Sequence, residues 1–319
     1  MNIDPQFKLV ALRARKRIIS TFCRMLYRDT QEDIKKCIFL AGVARSGTTW
    51  IADIIRSQIP CRLIWEPFNP HRVRAFSCFR EFKYLRLHDQ DPPLSSYVET
   101  VMNGRIRNHW VDRELDRIFF DYRLIKDVRA NLFLRWLQSK YSEVPLIFIM
   151  RHPCAVVLSR MEANWGADED IQAFLSQDKL IEDFLDDKMH VIKEASTEEE
   201  KHAIVWAIQN LVPIWQYKND VLNVVFYENL CLYPEAEIPK VFQIIGKRYR
   251  DSVFEIAEKP SKTSKLTSAV ITGEDKVTKW KSRLSNKQIS SILRVVEAFG
   301  LESVYGESCT PLVEDLALV

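Results

Sequence analysis

Residues 37–50 read CIFLAGVARSGTTW. A short apolar run, Cys37-Ile38-Phe39-Leu40-Ala41, turns at Gly42. It passes through Val43-Ala44-Arg45-Ser46-Gly47-Thr48-Thr49 and enters an apolar helical pattern at Trp50. Strand, small-residue loop, helix is an order that aims several backbone N–H groups and the positive end of a helix dipole at one spot. That spot suits a phosphate. Against the nucleotide-binding template G-x-x-x-x-G-K-[S/T], Gly42 and Gly47 have the right spacing and Thr49 supplies the final hydroxyl. Thr48 stands where a nucleoside-triphosphate enzyme places the lysine that neutralises the β- and γ-phosphates, and the only cation of the loop is Arg45. The loop is shaped for phosphate but lacks the charge that a γ-phosphate needs.

Outward from this loop, apolar runs predict further strands over residues 61–65, 121–127, 144–150 and 221–227. The run at 144–150 is near-continuously apolar, as in a parallel strand buried on both faces. Helical patterns fall over 50–55, 96–120, 132–141, 155–161, a long acid-rich stretch at 165–215, 239–245 and 285–299, the last closed by Gly300. Residues 68–93 and 259–280 read as irregular. Strands alternating with helices indicate an α/β fold of three layers, a central parallel sheet flanked by helices. Ligands in such sheets bind beyond the carboxyl ends of the strands. Four expected strand ends carry Arg45, Glu66, Lys126 and Arg151, which points to one site.

The chain has 319 residues and a net charge of +3, too small to imply a nucleic-acid partner. Its seven cysteines include no C-x-x-C pair, so neither a disulfide framework nor a structural zinc is expected, and reduced thiols suit a cytoplasmic compartment. Residues 1–36 read as a basic helical extension and 37–319 as a single domain. Within 8–28 there are seven basic residues and no acidic ones, with Leu9, Leu12, Ile19, Phe22 and Leu26 at roughly helical spacing. The segment reads as an amphipathic helix on an anionic membrane surface, inner-leaflet and peripheral, or as a helix packed on the domain; the second is preferred. No signal-peptide pattern opens the sequence, and its apolar residues are interrupted by charge before reaching a bilayer-spanning length.

A second pattern follows the strand at 144–150: Arg151-His152-Pro153-Cys154-Ala155-Val156-Val157-Leu158-Ser159-Arg160. Together with Arg45-Ser46-Gly47-Thr48-Thr49-Trp50, it resembles the two phosphate-binding segments of sulfotransferases that use 3′-phosphoadenylyl sulfate (PAPS). The resemblance implies PAPS as the sulfonate donor and no required metal. It implies that Ser46, Gly47, Thr48, Thr49 and Trp50 hold the 5′-phosphate, that Arg45 stabilises the oxygen that leaves, and that Arg151 and Ser159 hold the 3′-phosphate. Lys265 and Trp280 fall where relatives carry a loop over the 3′-phosphate and adenine, although the Arg-Lys-Gly triplet of cytosolic members is missing.

Arginine at the first loop position and the stretch Trp65-Glu66-Pro67-Phe68 side with carbohydrate-type members, in which a Glu is the general base. The acceptor implied is a hydroxyl of a carbohydrate or glycolipid. Golgi members of that group carry a membrane anchor, a point of departure. Glu66, beside Trp65, is expected to be partly desolvated with a raised pKa; pairing with an arginine is the alternative, and His71 is the reserve base. Cytosolic members place a His where this chain has Lys126-Asp127-Val128. Lys126 contacts the sulfonate or acceptor, or pairs with Asp127. His109 and His152 read as structural, and Glu228 as a helix cap. Two other functions stand beside this one: a P-loop small-molecule kinase, opposed by the missing loop lysine, and a non-catalytic nucleotide-binding protein, opposed by the intact cationic anchors.

Overall fold

The computed structural model describes residues 18–19, 21–27, 29, 33–257 and 275–313. Five strands, β1 (Cys37–Gly42), β2 (Cys61–Trp65), β3 (Tyr122–Asp127), β4 (Leu146–Met150) and β5 (Val224–Phe226), form one all-parallel sheet in the order β2-β3-β1-β4-β5. Every residue of β1, β2 and β4 is buried, as a parallel sheet covered on both faces requires. The helices are α1 (Thr48–Gln58), α2 (Pro92–Met102), α3 (Leu134–Lys140), α4 (Pro153–Met161), α5 (Asp168–Leu175), α6 (Glu198–Gln216), α7 (Tyr227–Leu232), α8 (Pro234–Ile245), α9 (Ser252–Ala257), α10 (Lys279–Arg283) and α11 (Asn286–Ala298).

Alternation along each strand divides the core. Ile38 and Leu40 of β1 join Ile51 and Ile55 of α1 and Phe242 of α8 on one face, while Phe39 and Ala41 join the face covered by Trp206 and Ile208 of α6. The chain runs β1, β2, β3 to one side and then crosses to β4 on the far side of β1. The winding therefore reverses at β1, and the carboxyl end of β1 opens into the crevice that such a reversal creates.

Three elements differ from the sequence reading. The helix expected over 96–120 is α2, which begins earlier and ends at Met102. Asp91 caps its Leu94 N–H, and Pro92 and Pro93 occupy the first turn, where a missing N–H loses nothing. The long helix over 165–215 is broken: α5 is followed by short helical turns through residue 194, and α6 starts anew at Thr197. The cause is a capping box, in which Thr197 accepts from Glu200 N–H while Glu200 accepts from Thr197 N–H. β5 is three residues long because Tyr227 already starts α7.

Of the basic extension, residues 18–19 and 21–26 are helical. Cys23 and Tyr27 are buried against Leu115, while Ile18, Phe22 and Met25 are exposed. Residues 1–17, which carry most of the positive charge considered for membrane contact, lie outside the described residues. No helix among the described residues is long and apolar enough to cross a membrane.

Two arginines lie side by side in the sheet, Arg62 of β2 paired in register with Arg123 of β3, and both are buried. Asp29 joins them. Its carboxylate accepts from Arg62 Nη1 at 2.8 Å, from Arg123 Nε at 2.8 Å and from Arg123 Nη2 at 2.7 Å. Asp112 also accepts from Arg62, at 3.0 Å. Removing one partner of a buried ion cluster leaves uncompensated charge. Asp29→Ala is expected to destabilise the protein by about 3 kcal/mol, read as a lowered midpoint of urea unfolding, with Asp29→Asn intermediate.

Candidate active site

The loop after β1 is tight because glycine permits it. A Cβ on Gly42 would lie 2.5 Å from the carbonyl oxygen of Ile149 in β4. A Cβ on Gly47 would lie 2.5 Å from the Tyr227 ring, and Gly47 has φ 97°, in the left-handed region. Gly47 is also the N-cap of α1 and offers no side chain to the N–H groups of the first turn. The Trp50 N–H turns back to the Gly47 carbonyl oxygen at 2.9 Å, which leaves the N–H groups of Thr48 and Thr49 for a ligand. Ser46 is fully buried and its Oγ has no partner among the described residues.

The two predicted phosphate segments meet. Arg45 Nε donates to Ser159 Oγ of α4 at 2.9 Å, and Arg151, at the end of β4, donates from Nη1 to the Arg45 carbonyl oxygen at 3.1 Å and from Nη2 to that of Lys276 at 3.3 Å. The Arg151 guanidinium lies over the Tyr227 ring at 4.2 Å, and its buried Nε has no hydrogen-bond partner among the described residues. Neither Arg45 nor Arg151 forms an ion pair with a carboxylate among the described residues. Burial and then the charge of Arg151 lower the Arg45 pKa. Two neighbouring half-buried guanidiniums, a buried Ser46 hydroxyl without a partner among the described residues and an uncapped helix start make a site that an anion completes.

Aromatic groups line the adjacent wall. Trp50 meets Tyr227 edge to face at 5.4 Å, and Lys276 Nζ lies 5.4 Å from the Trp50 ring. Trp280 of α10 is buried and stacks on His152 at 4.4 Å and 13°. Burial pushes the His152 pKa down to about 4 and keeps the ring neutral. His152 donates its backbone N–H to Glu228 Oε1 at 2.9 Å, and Tyr305 donates to Glu228 Oε2 at 2.9 Å. Glu228 thus bridges the end of β4 to the C-terminal segment. Lys265 lies outside the described residues.

The predicted carboxylate lies in the same cleft, a cavity of about 630 Å³ that also holds Arg45, Arg151 and Ser159. Glu66 follows β2 with φ 42°. Its Oε1 is 2.6 Å from Lys126 Nζ, and its Oε2 is 3.2 Å from Arg129 Nη1. Arg129 Nε in turn pairs with Glu81 Oε1 at 2.5 Å, and Glu81 Oε2 with His71 Nε2 at 2.9 Å. His71 is therefore an exposed end of this chain of charges. Asp127 is not the partner of Lys126. It accepts from the backbone N–H groups of Phe68 at 2.9 Å and Arg129 at 2.6 Å, and burial, with Glu66 nearby, pushes its pKa up to about 6.

The expected rise in the Glu66 pKa is corrected. Burial does push it up, but Lys126 and Arg129 outweigh burial and hold the carboxyl below its usual range. Glu66 is ionised at neutral pH. Sequence reading missed Arg129, Glu81 and Tyr227 as parts of the site. Arg129 had one available signal, its place in the turn just past the charged end of β3.

Of the four non-glycine residues with positive φ among the described residues, three, Arg45, Glu66 and Phe82, line this cleft. Strain concentrated in one place is held by its surroundings and marks a functional site. Arg129→Gln leaves Lys126 as the remaining ion-pair partner of Glu66, so the Glu66 pKa should rise toward its ordinary value. A titration of the Glu66 side-chain carbon by NMR reads this. Because the folded pKa is depressed, the stability Glu66 contributes is present above pH 4.5 and lost as pH falls through its folded value. In the variant that loss should be smaller and should be complete at a higher pH, nearer the ordinary carboxylate value.

Residues 35–298 match the family model described as the sulfotransferase domain. Solved structures similar to this chain include a sulfotransferase domain from the curacin biosynthetic pathway (12% identity, covering 82% of this chain and 96% of that one, TM-score 0.42). Another is the sulfotransferase domain of the Synechococcus PCC 7002 olefin synthase (14% identity, 88% and 100%, TM-score 0.42). A third is mouse sulfotransferase SULT7A1 complexed with PAP (14% identity, 90% of each chain, TM-score 0.42). No curated protein sequence matches. The matched span contains both phosphate segments and the Glu66 turn, and the chain belongs to the sulfotransferase domain family.

Proposed function

We propose that this chain moves a sulfonate from PAPS to a hydroxyl of a carbohydrate or glycolipid acceptor, with Glu66 as general base. The observation that carries the reading is the charge layout of one cleft. Arg45 and Arg151 are half-buried side by side, neither ion-paired to a carboxylate among the described residues, and Glu66 stands in the same cleft, ionised and held by Lys126. The bound nucleotide supplies an activated sulfonate whose transfer leaves adenosine 3′,5′-bisphosphate.

The residues present fit that group. Gly47, Thr48, Thr49 and the first-turn N–H groups of α1 hold the 5′-phosphate, with Ser46 Oγ as an added donor. Arg151 and Ser159 hold the 3′-phosphate, and Trp50, Tyr227 and Trp280 give the adenine an aromatic wall. Arg45 stabilises the charge that develops on the departing oxygen, a fixed cation that needs no reorganisation during reaction. Glu66 accepts the acceptor's proton. Its depressed pKa makes it a weak base, so the proton moves as the new O–S bond forms rather than before it. Lys126 holds Glu66 in place and presents positive charge to the incoming group. The carbohydrate-type acceptor is supported by arginine at position 45 and by the Glu-Pro turn at 66–67.

Adenosine 3′,5′-bisphosphate is expected to raise the melting temperature, and ATP with magnesium to leave it unchanged, since Thr48 stands at the lysine position of a kinase loop. The reverse pattern would point to a kinase. In a labelled-PAPS transfer assay, Arg45→Ala should lower turnover on the order of 10²–10³-fold. Glu66→Gln should also lower turnover while leaving bisphosphate binding intact; full activity in Glu66→Gln removes Glu66 as the base.

A further inference from the structure

Exposed apolar side chains gather at one place on this protein. Of the twelve large hydrophobic residues exposed among the described residues, five, Ile18, Ile19, Phe22, Met25 and Leu26, come from the helical residues 18–19 and 21–26. A sixth, Phe119, is 76% exposed between Ile118 and Phe120, which pack against Cys23, Tyr27 and Leu115. The helix has two apolar faces. Cys23 and Tyr27, one turn apart, are buried on Leu115, and that face accounts for its place on the domain. Ile18, Phe22, Met25 and Leu26 follow the i, i+4, i+7, i+8 spacing of a second stripe, which is exposed. Packing on the domain requires the first stripe and gives no reason for the second.

The stripe is held in a fixed orientation. Tyr27 donates from its hydroxyl to Asp112 Oδ2 at 3.0 Å and meets Phe120 edge to face at 6.2 Å. Asp29, two residues on, is locked between Arg62 and Arg123. The segment that seats the helix at Leu115 also walls the cleft at Trp110 and Arg113.

Charge identifies what this face meets. Within 8–28 the sequence has seven basic residues and no acidic one. Arg24 donates to neutral acceptors, Thr21 Oγ1 at 2.9 Å and the His109 carbonyl oxygen at 3.4 Å, and Arg107 lies over the Tyr27 ring at 4.7 Å. Neither arginine forms an ion pair among the described residues. The carboxylates nearby are matched by other cations: Asp29 by Arg62 and Arg123, Asp112 by Arg62, and Asp116 by Arg56 at 2.7 Å and Arg117 at 3.2 Å. An apolar stripe set in uncompensated positive charge suits an anionic lipid surface, where the apolar side chains enter the headgroup boundary and the cations meet phosphates. A second copy of the chain would instead bring like charge against like.

We infer that Ile18, Phe22, Met25 and Leu26, with Phe119, form a peripheral docking face for an anionic membrane. The test is flotation of the full chain with vesicles of phosphatidylcholine alone or mixed equally with phosphatidylserine, a readout independent of sulfonate transfer. The mixed vesicles should bind at least about tenfold tighter, since each cation near an anionic surface contributes several-fold, and added salt should weaken the binding. Phe22→Ser combined with Met25→Ser should lower affinity for the mixed vesicles by at least about tenfold. The midpoint of urea unfolding should stay unchanged, because both side chains are exposed in the folded chain. Phe22→Trp keeps the stripe apolar, and its added indole emission, read as the difference from the unsubstituted protein, should shift to the blue on the mixed vesicles. If the serine pair lowers the urea midpoint, that shift decides. No binding to the mixed vesicles, equal binding to both kinds, binding that survives the serine pair in a stably folded variant, or no blue shift overturns the inference. A dimer in light scattering that the serine pair dissociates also overturns it and assigns the stripe to a second copy.

Discussion

Two half-buried guanidiniums in contact with each other's segments, neither ion-paired to a carboxylate among the described residues, set the terms for this site. Arg45 and Arg151 are brought together because β1 and β4 are neighbours and Gly42 and Gly47 let the intervening loop close against Ile149 and Tyr227. Like charges drawn partly out of water side by side are unfavourable unless something anionic answers them. Everything around them suits that answer: a Ser46 hydroxyl with no partner among the described residues, a helix start with no side-chain cap and an aromatic wall at Trp50, Tyr227 and Trp280. The sheet supplies the rigidity that keeps the two cations from separating.

The other half of the cleft obeys the opposite rule. There charges are matched in sequence, from Lys126 through Glu66, Arg129 and Glu81 to His71. Matching fixes Glu66 in position and in its ionised form, at the expense of basicity. The two halves are therefore complementary. One is short of negative charge and holds a ligand; the other is self-neutralised and holds a reactive side chain. The positive φ at Arg45 and at Glu66 puts backbone strain at both ends of that arrangement.

Much of this was legible from residues alone where the signal is local. The glycine spacing, the Arg-x-Pro step after β4 and the apolar runs each describe a few consecutive residues, and backbone sterics translate them directly into loop, turn and strand. Local signals also explain the misses. Residues 68–93 read as irregular, yet Asp91 caps the turn that Pro92 and Pro93 begin, and the periodicity over 165–215 continues through a capping box that starts a new helix at Thr197. The pKa of Glu66 failed for a different reason: its neighbour Trp65 was visible, and its cations were not.

Order and type of elements, the phosphate-shaped loop and the identity of the four strand-end groups follow from the sequence itself, because each depends on contacts within a turn or two of chain. Which of those groups touch depended on the folded sheet. Trp65 pairs in register with Lys126 across β2 and β3, and that register carries Glu66 to the Lys126 ammonium and places Arg129 beyond it. β1 against β4 likewise carries Arg45 to Ser159, across 114 residues of chain. Strand order and register are settled by burial of both faces of the sheet at once, a property of the whole core that no single stretch of residues contains.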